Sequence, residues 1–277
     1  MMASHPNKLY LPIEPMTHRM RKVRIKRWKD GVTEDIDDVV AEETFLHLEI
    51  NEKIGFDTII SPQDVKEFVY GNLFSEGFVD DDSEVHGYRE RQKDGDYFVS
   101  VDLDVGKEMA YKRNYNILWT DCTTPTDIQK RMGDRIEKID SPLKVRASDI
   151  PLVRDRIADK IDVYKQTGAY HYAFLLDSGM DLAVTMFDVS RHNAVDKVIG
   201  SVLLAGDEFG NKVLFVTGRI TSNMIWKCLR AGIPLAMSRS APLLEAIELA
   251  KEYGMGVIGF ARGKRFNLYS GERFIEW

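Results

Sequence analysis

The chain has 277 residues, 44% hydrophobic and 30% charged, with a formal net charge of −6. That length buries a substantial core in one large domain or two modest lobes. The acidic balance excludes broad nucleic-acid binding but leaves room for a local basic pocket. Two cysteines make no disulfide framework, no Cys/His cluster has metal-ligand spacing, and no apolar run is long enough for a secretory signal or a bilayer span. A cytoplasmic protein with no structural metal and no membrane insertion is therefore expected.

The first ten or so residues read as a loose tail. Residues 19–29 hold seven basic residues and no acidic one, with Val23, Ile25 and Trp28 interleaved, and an acidic stretch over 30–43 follows. This pattern fits a charged edge strand and loop, or a docking surface for a partner. From Thr44 the pattern is extended: Leu46, Leu48 and Ile50 alternate with polar residues, and a second strand is expected over 56–60. Ser61-Pro62 then opens a helix, with Ser61 as N-cap, Asp64 at capping-box spacing, an apolar face of Val65, Phe68, Val69 and Leu73, and Gly77 as the stop. Val99, Val101 and Leu103 alternate again, as a half-exposed strand does. The first lobe, residues 1–140, is thus mixed, with antiparallel strands and one clear helix.

Residues 120–127 break this periodicity with Asp121-Cys122-Thr-Thr-Pro125, a loop by composition that leaves the Cys122 thiol accessible for nucleophilic or sulfur-transfer chemistry. A free thiol has a pKa of ~8.5 and needs a nearby cation or helix N-terminus to ionise at neutral pH. Helices are expected near 126–138 and 151–166, the second ending before Gly168. In the second lobe, residues 141–277, a strand pair over 170–176 and 182–187 precedes regular alternation. A helix from about 191 leads to a strand at 213–216, a helix near 222–231 to 233–237, and a Ser240-capped helix to 257–260. Apolar strands alternating with helices imply a parallel sheet covered on both faces, with ligands at the carboxyl ends of its strands.

Cations recur at those ends: Arg191, Arg219, Arg239, Arg262 and Arg265. Together with the segments 188–197 and 259–265 they point to an anionic, phosphate-bearing ligand. Gly254-Met-Gly256-Val-Ile-Gly259 matches the dinucleotide fingerprint in letters only, because it follows a helix and runs into a strand. Cys228 lies on an apolar helix face and reads as a small hydrophobe. His171 and His192 are of the types that catalyse, but lone histidines are more often structural.

Several ordered segments resemble the formate dehydrogenase accessory sulfurtransferase family, FdhD: Ser61 to Gly77, Thr167-Gly-Ala-Tyr-His171, Asp188 to Lys197, Thr217 to Ser222, Ser240-Ala-Pro242 and Gly259 to Arg265. The resemblance implies a sulfur carrier. Cys122 would take sulfur from a cysteine desulfurase as a persulfide and pass it to the bis-molybdopterin guanine dinucleotide form of the molybdenum cofactor, for formate dehydrogenase. It also implies a homodimer and a cytidine-deaminase-like three-layer C-terminal lobe. The cofactor site would comprise Phe260, Ala261, Arg262, Gly263, Lys264 and Arg265, with Arg191, His192 and Arg219 assisting. This chain departs from the family in its loop, where Cys122-Thr-Thr-Pro125-Thr stands for Cys-Gly-x-Cys-Gly. That departure keeps a second reading open: a cofactor-binding chaperone that has lost transfer chemistry.

Overall fold

The computed structural model describes residues 20–104 and 136–277. Cys122 and nearly all of the helix expected near 126–138 lie outside the described residues. The basic and acidic stretches pair with each other. β1 (Met20–Lys29) and β2 (Val32–Ala41) form an antiparallel ribbon, with ion pairs Arg24–Asp37 at 3.1 Å and Lys26–Asp35 at 3.0 Å.

β3 (Thr44–Ile50) and β4 (Ile54–Ile60) bury Leu46, Leu48 and Ile50 on one side, as their alternation predicts. The helix that follows, α1 (Val65–Ser75), begins later than Ser61-Pro62 suggests, after Asp64 in the left-handed region at φ 55°. Ser61 does not cap it because its own groups are engaged elsewhere. Its N–H donates to Asp188 Oδ2 at 2.9 Å, and its hydroxyl accepts the N–H of Val189 at 2.9 Å. β5 (Val85–Lys93) and β6 (Asp96–Leu103) complete a four-stranded sheet of order β4-β3-β6-β5, in which only β3 and β6 run parallel.

A short strand, β7 (Val145–Arg146), precedes the region expected as one helix over 151–166, and that helix is broken. A 3-10 turn leads into α2 (Val153–Arg156), the chain leaves helical geometry at Ile157 (φ −102°, ψ 0°), and α3 (Asp162–Thr167) starts anew. The break turns Ile157 into the core.

The second sheet has the order β13-β12-β11-β10-β8-β9. Its elements are β8 (His171–Leu176), β9 (Leu182–Asp188), α4 (Arg191–Ala205), β10 (Val213–Val216), α5 (Ser222–Ala231), β11 (Leu235–Ser238), α6 (Leu244–Glu252), β12 (Gly256–Arg262) and β13 (Arg265–Ser270), and β14 (Ile275–Glu276) pairs with β7. Only β10, β11 and β12 are mutually parallel, and β8, β9 and β13 are antiparallel to their neighbours. The three strands expected from the alternation with helices, β10, β11 and β12, are thus parallel, and the strand pair β8–β9 and the added β13 make the whole sheet mixed. Short turns join β8 to β9 and β12 to β13, and a short turn closes only antiparallel pairs. α6 starts at Leu244 rather than after Ser240, because the intervening residues bridge to Ile220. Its N–H donates to the Ala241 carbonyl at 3.2 Å, and its carbonyl accepts the Leu243 N–H at 2.9 Å.

The two sheets share one hydrophobic core, joined where α1 crosses α4. A Cβ on Gly71 would lie 1.8 Å from the Asp196 carbonyl oxygen, and one on Gly200 would lie 1.8 Å from that of Glu67. Only glycines let these two backbones touch. α4 is consequently buried around most of its circumference from His192 to Gly200, charged residues included.

Those charges are paired. Asp188 and Lys197, both fully buried, meet at 2.7 Å. Asp188 also accepts N–H groups from Ser61, Ser190 and Asn193, while Lys197 donates to the Ser61 and Phe187 carbonyls. Asp196 grips Lys227 of α5 at 2.7 and 2.9 Å, with Glu76 3.6 Å away. Burial pulls the Lys227 pKa down, but the Asp196 and Glu76 carboxylates more than offset this and hold it above its ordinary value. Asp188, Asp196 and Lys197, in the segment 188–197 that the sequence reading connects with an anionic ligand, hold helices together.

Replacing Gly200 with Ala forces the helices apart and is expected to cost about 3 kcal/mol or more. Urea unfolding midpoints measure it, and a loss under about 1 kcal/mol would contradict this packing.

Candidate functional site

The parallel strands β10, β11 and β12 end together, and two adjoining cavities open there. The larger, of about 710 Å³, is lined by Arg154, Arg239, Arg262, Lys264 and Arg265, over apolar ground from Ile157, Phe215 and Ala261. The smaller, of about 370 Å³, shares Ile161, Thr217, Arg239 and Arg262 with it and extends to Tyr170 and His171. Among the described residues no carboxylate lines either cavity, although the chain carries more acidic than basic residues. Guanidinium and ammonium groups converging without a counter-charge make a site for an anion, and the apolar floor suits a planar or aliphatic portion of the same ligand.

Local structure explains the convergence. Ser238, fully buried at the end of β11, donates to the Gly218 carbonyl at 2.5 Å and accepts the Ser240 N–H at 2.8 Å, which ties the β10 and β11 ends around Arg239. In β12, Phe260 has a left-handed backbone, φ 54°, uncommon for a bulky residue and costing on the order of 1–3 kcal/mol. Its N–H donates to the Ser240 carbonyl at 2.9 Å, and the pairing with β13 shifts register between Gly259 and Arg262. This irregularity carries Arg262 over the Phe260 ring, 5.6 Å from its centroid. Gly263, at φ 64°, opens the two-residue turn to β13, a conformation that suits glycine, so Lys264 adds a cation without left-handed strain.

The expected cofactor residues divide. Ala261, Arg262, Gly263, Lys264 and Arg265 line the larger cavity, and Phe260 supports Arg262 from beside it. Arg191, His192 and Arg219 line neither cavity. His192 is buried, with Nε2 3.2 Å from the Thr221 hydroxyl, which is a structural contact. Arg219 is exposed. Arg191 packs with His171 against Gly218. Burial, then the Arg191 cation, lowers the His171 pKa below 6.5 despite Asp188, so His171 faces the smaller cavity as neutral imidazole at pH 7. Arg154 and Tyr170 were not legible as site residues. Arg154 sits on a one-turn helix far from the strand ends in sequence, and only the tertiary fold brings it to them.

Fold and cleft together define a mixed α/β protein presenting a cationic binding site at the ends of three parallel strands. A model of the FdhD/NarQ family matches residues 41–276. Among curated relatives, the sulfur carrier protein FdhD of Methanothermobacter thermautotrophicus is 36% identical over 217 residues, 78% of this chain and 83% of that protein. The namesake from Sulfolobus acidocaldarius is 32% identical over 259 residues, 93% of this chain and 99% of its own. A crystal structure from Desulfotalea psychrophila, described as a candidate formate dehydrogenase accessory protein, superposes with a TM-score of 0.75 at 27% identity, covering 93% of this chain and 99% of that one. The chain belongs to the FdhD/NarQ family.

A charge-assisted hydrogen bond contributes on the order of 1.5–3 kcal/mol, so Arg262→Ala is expected to weaken guanosine diphosphate binding about tenfold or more. Isothermal titration at two salt concentrations checks this. Unchanged affinity would place the anion elsewhere.

Proposed function

We propose that this chain is a sulfur carrier serving formate dehydrogenase. Its acceptor substrate is the bis-molybdopterin guanine dinucleotide form of the molybdenum cofactor, held through phosphates in the cationic cleft. The observation that carries this reading is the convergence of five cations, with no carboxylate among the described residues, on an apolar-floored cavity at the parallel strand ends. The names of the curated relatives agree with it. The strand order is compatible with a cytidine-deaminase-like lobe. Among the described residues no helix is long and apolar enough to cross a membrane; a cytoplasmic location belongs to the same proposal.

The carrier atom is the Cys122 sulfur. Of the two cysteines, Cys228 is fully buried, and burial pushes its thiol up to about 12, so it supplies no thiolate at neutral pH. In the first step the Cys122 thiolate attacks the outer sulfur of a persulfide on a cysteine desulfurase. A new S–S bond forms, and the desulfurase cysteine leaves as thiolate. In the second, the reduced molybdenum end of the bound substrate supplies an electron pair to the outer sulfur and is oxidised by two electrons; a bond from that sulfur to the acceptor forms as the S–S bond breaks, and Cys122 leaves as a thiolate. Arg239, Arg262 and Lys264 bind and orient the dinucleotide, while neutral His171 accepts a hydrogen bond at the smaller cavity. With no second thiol in the Cys122-Thr-Thr-Pro125 loop, Cys122 hands its sulfur directly to the acceptor. That same loop favours the second reading, a cofactor-binding chaperone without transfer chemistry.

Intact-protein mass spectrometry after incubation with a cysteine desulfurase and cysteine separates the two. An added sulfur atom is expected on wild type and on Cys228→Ala, and none on Cys122→Ala. No added sulfur on wild type, with the desulfurase shown active on a two-cysteine relative, would favour the chaperone.

A further inference from the structure

The face of the first sheet turned away from the core carries a further cavity. Residues directly opposite across a ladder share a face. One row therefore crosses all four strands as Asp57, His47, Phe98 and Arg91, and the next row as Gly55, Glu49, Ser100 and Arg89. In the first row, His47 Nδ1 lies 2.6 Å from Asp57 Oδ1, and its ring stacks on Phe98 at 4.5 Å. The Arg91 guanidinium lies over the same phenyl ring, 5.0 Å from its centroid. A cavity of about 560 Å³ opens beside this row, over Gly55, Glu49 and Ser100.

The charges around this cavity divide into paired and unpaired. Asp57 is held by His47, and Arg89 is held by Asp102 through two hydrogen bonds, at 2.8 and 3.2 Å. Among the described residues, the Glu49 carboxylate accepts no hydrogen bond and acts on Arg89 only at longer range. The Ser100 hydroxyl has no partner there, and Arg91 meets no carboxylate. A guanidinium stacked by its face on an aromatic ring keeps its N–H edges free for a carboxylate. Glu49 and Arg91 stand on β3 and β5, two strands and so roughly 10 Å apart at the backbone.

Gly55 supplies space beside Glu49. A Cβ there would meet only the Leu48 carbonyl oxygen, at 3.8 Å, and its φ is not positive, so neither packing nor backbone requires glycine at this position.

An uncommitted acid, hydroxyl and guanidinium around one cavity match a ligand that carries an ammonium and a carboxylate a few bonds apart. A phosphate or nucleotide fits poorly, because Glu49 repels it, and a polyamine is repelled by Arg91. We infer that this cavity binds a free α-amino acid as its zwitterion. The ammonium donates to Glu49 and Ser100, the carboxylate accepts from Arg91, and the side chain extends over Gly55. The inference is independent of the sulfur chemistry and of the cationic cleft.

Isothermal titration of the full chain with each of the twenty common L-amino acids tests it. At least one is expected to bind with a Kd below ~1 mM. N-acetylation of that ligand removes its ammonium and methyl esterification removes its carboxylate charge. Each is expected to weaken binding about tenfold or more, as are Glu49→Gln and Arg91→Gln. Gly55→Val fills the cavity with a side chain that the strand accommodates and is expected to abolish binding, with circular dichroism melting showing that each variant is folded. Saturating guanosine diphosphate is expected not to displace the amino acid. No binding by any of the twenty, equal affinity for the capped derivatives, unchanged affinity in the folded charge variants, or displacement by guanosine diphosphate would each overturn the inference.

Discussion

Everything in this fold hangs on the crossing of α1 and α4, where Gly71 and Gly200 let two backbones meet with no side chain between them. That contact brings the Ser61 turn onto Asp188, so the fully buried Asp188–Lys197 pair is enclosed by backbone donors and acceptors from both halves of the chain. A buried ion pair is weak evidence of net stability, but removing either partner strands a charge and costs on the order of 3–5 kcal/mol. The arrangement therefore fixes one geometry rather than adding much stability. It locks β9 and the start of α4 against the first sheet, and through β8 it sets His171 and Tyr170 at the edge of the cleft.

The cleft is electrostatically simple. An acidic chain concentrates five cations at the carboxyl ends of β10, β11 and β12, with no carboxylate among the described lining residues. Several of its acids are engaged elsewhere: in the ribbon ladder, in the helix pairs and on the open face of the first sheet. Lined by cations on an apolar floor, the cleft attracts an anionic ligand and holds its uncharged part away from water. The left-handed Phe260 and the hydrogen-bonded Ser238 aim two of the arginines there, an example of local backbone strain maintained at a binding surface.

Much of this was legible in the sequence where a single physical signal dominates. Leu46, Leu48 and Ile50 announce a strand by alternation, and Val213 to Val216 by an apolar run of the right length. The cations of 262–265 were legible as one cluster because they follow an apolar strand, and they line one cavity. Sequence reasoning failed where a polar residue serves a distant partner. Ser61 and Ser240 look like helix caps, yet each is claimed by contacts more than twenty residues away or by a neighbouring strand end, and the helices begin later. Asp188 and Lys197 are likewise paired with each other and with distant backbone groups, which the sequence does not announce. β5 was missed because its alternation is between charged and other polar residues, with little apolar periodicity to read.

The central claim is that the cleft and the Cys122 sulfur act together on one substrate. The most direct measurement is formate dehydrogenase activity in cells lacking their own carrier and supplied with this chain or with Cys122→Ala. The account predicts that wild type restores activity and that Cys122→Ala, expressed and folded at the same level, restores none. Activity fully retained by Cys122→Ala would contradict the carrier reading and leave a chaperone that binds the cofactor without transferring sulfur.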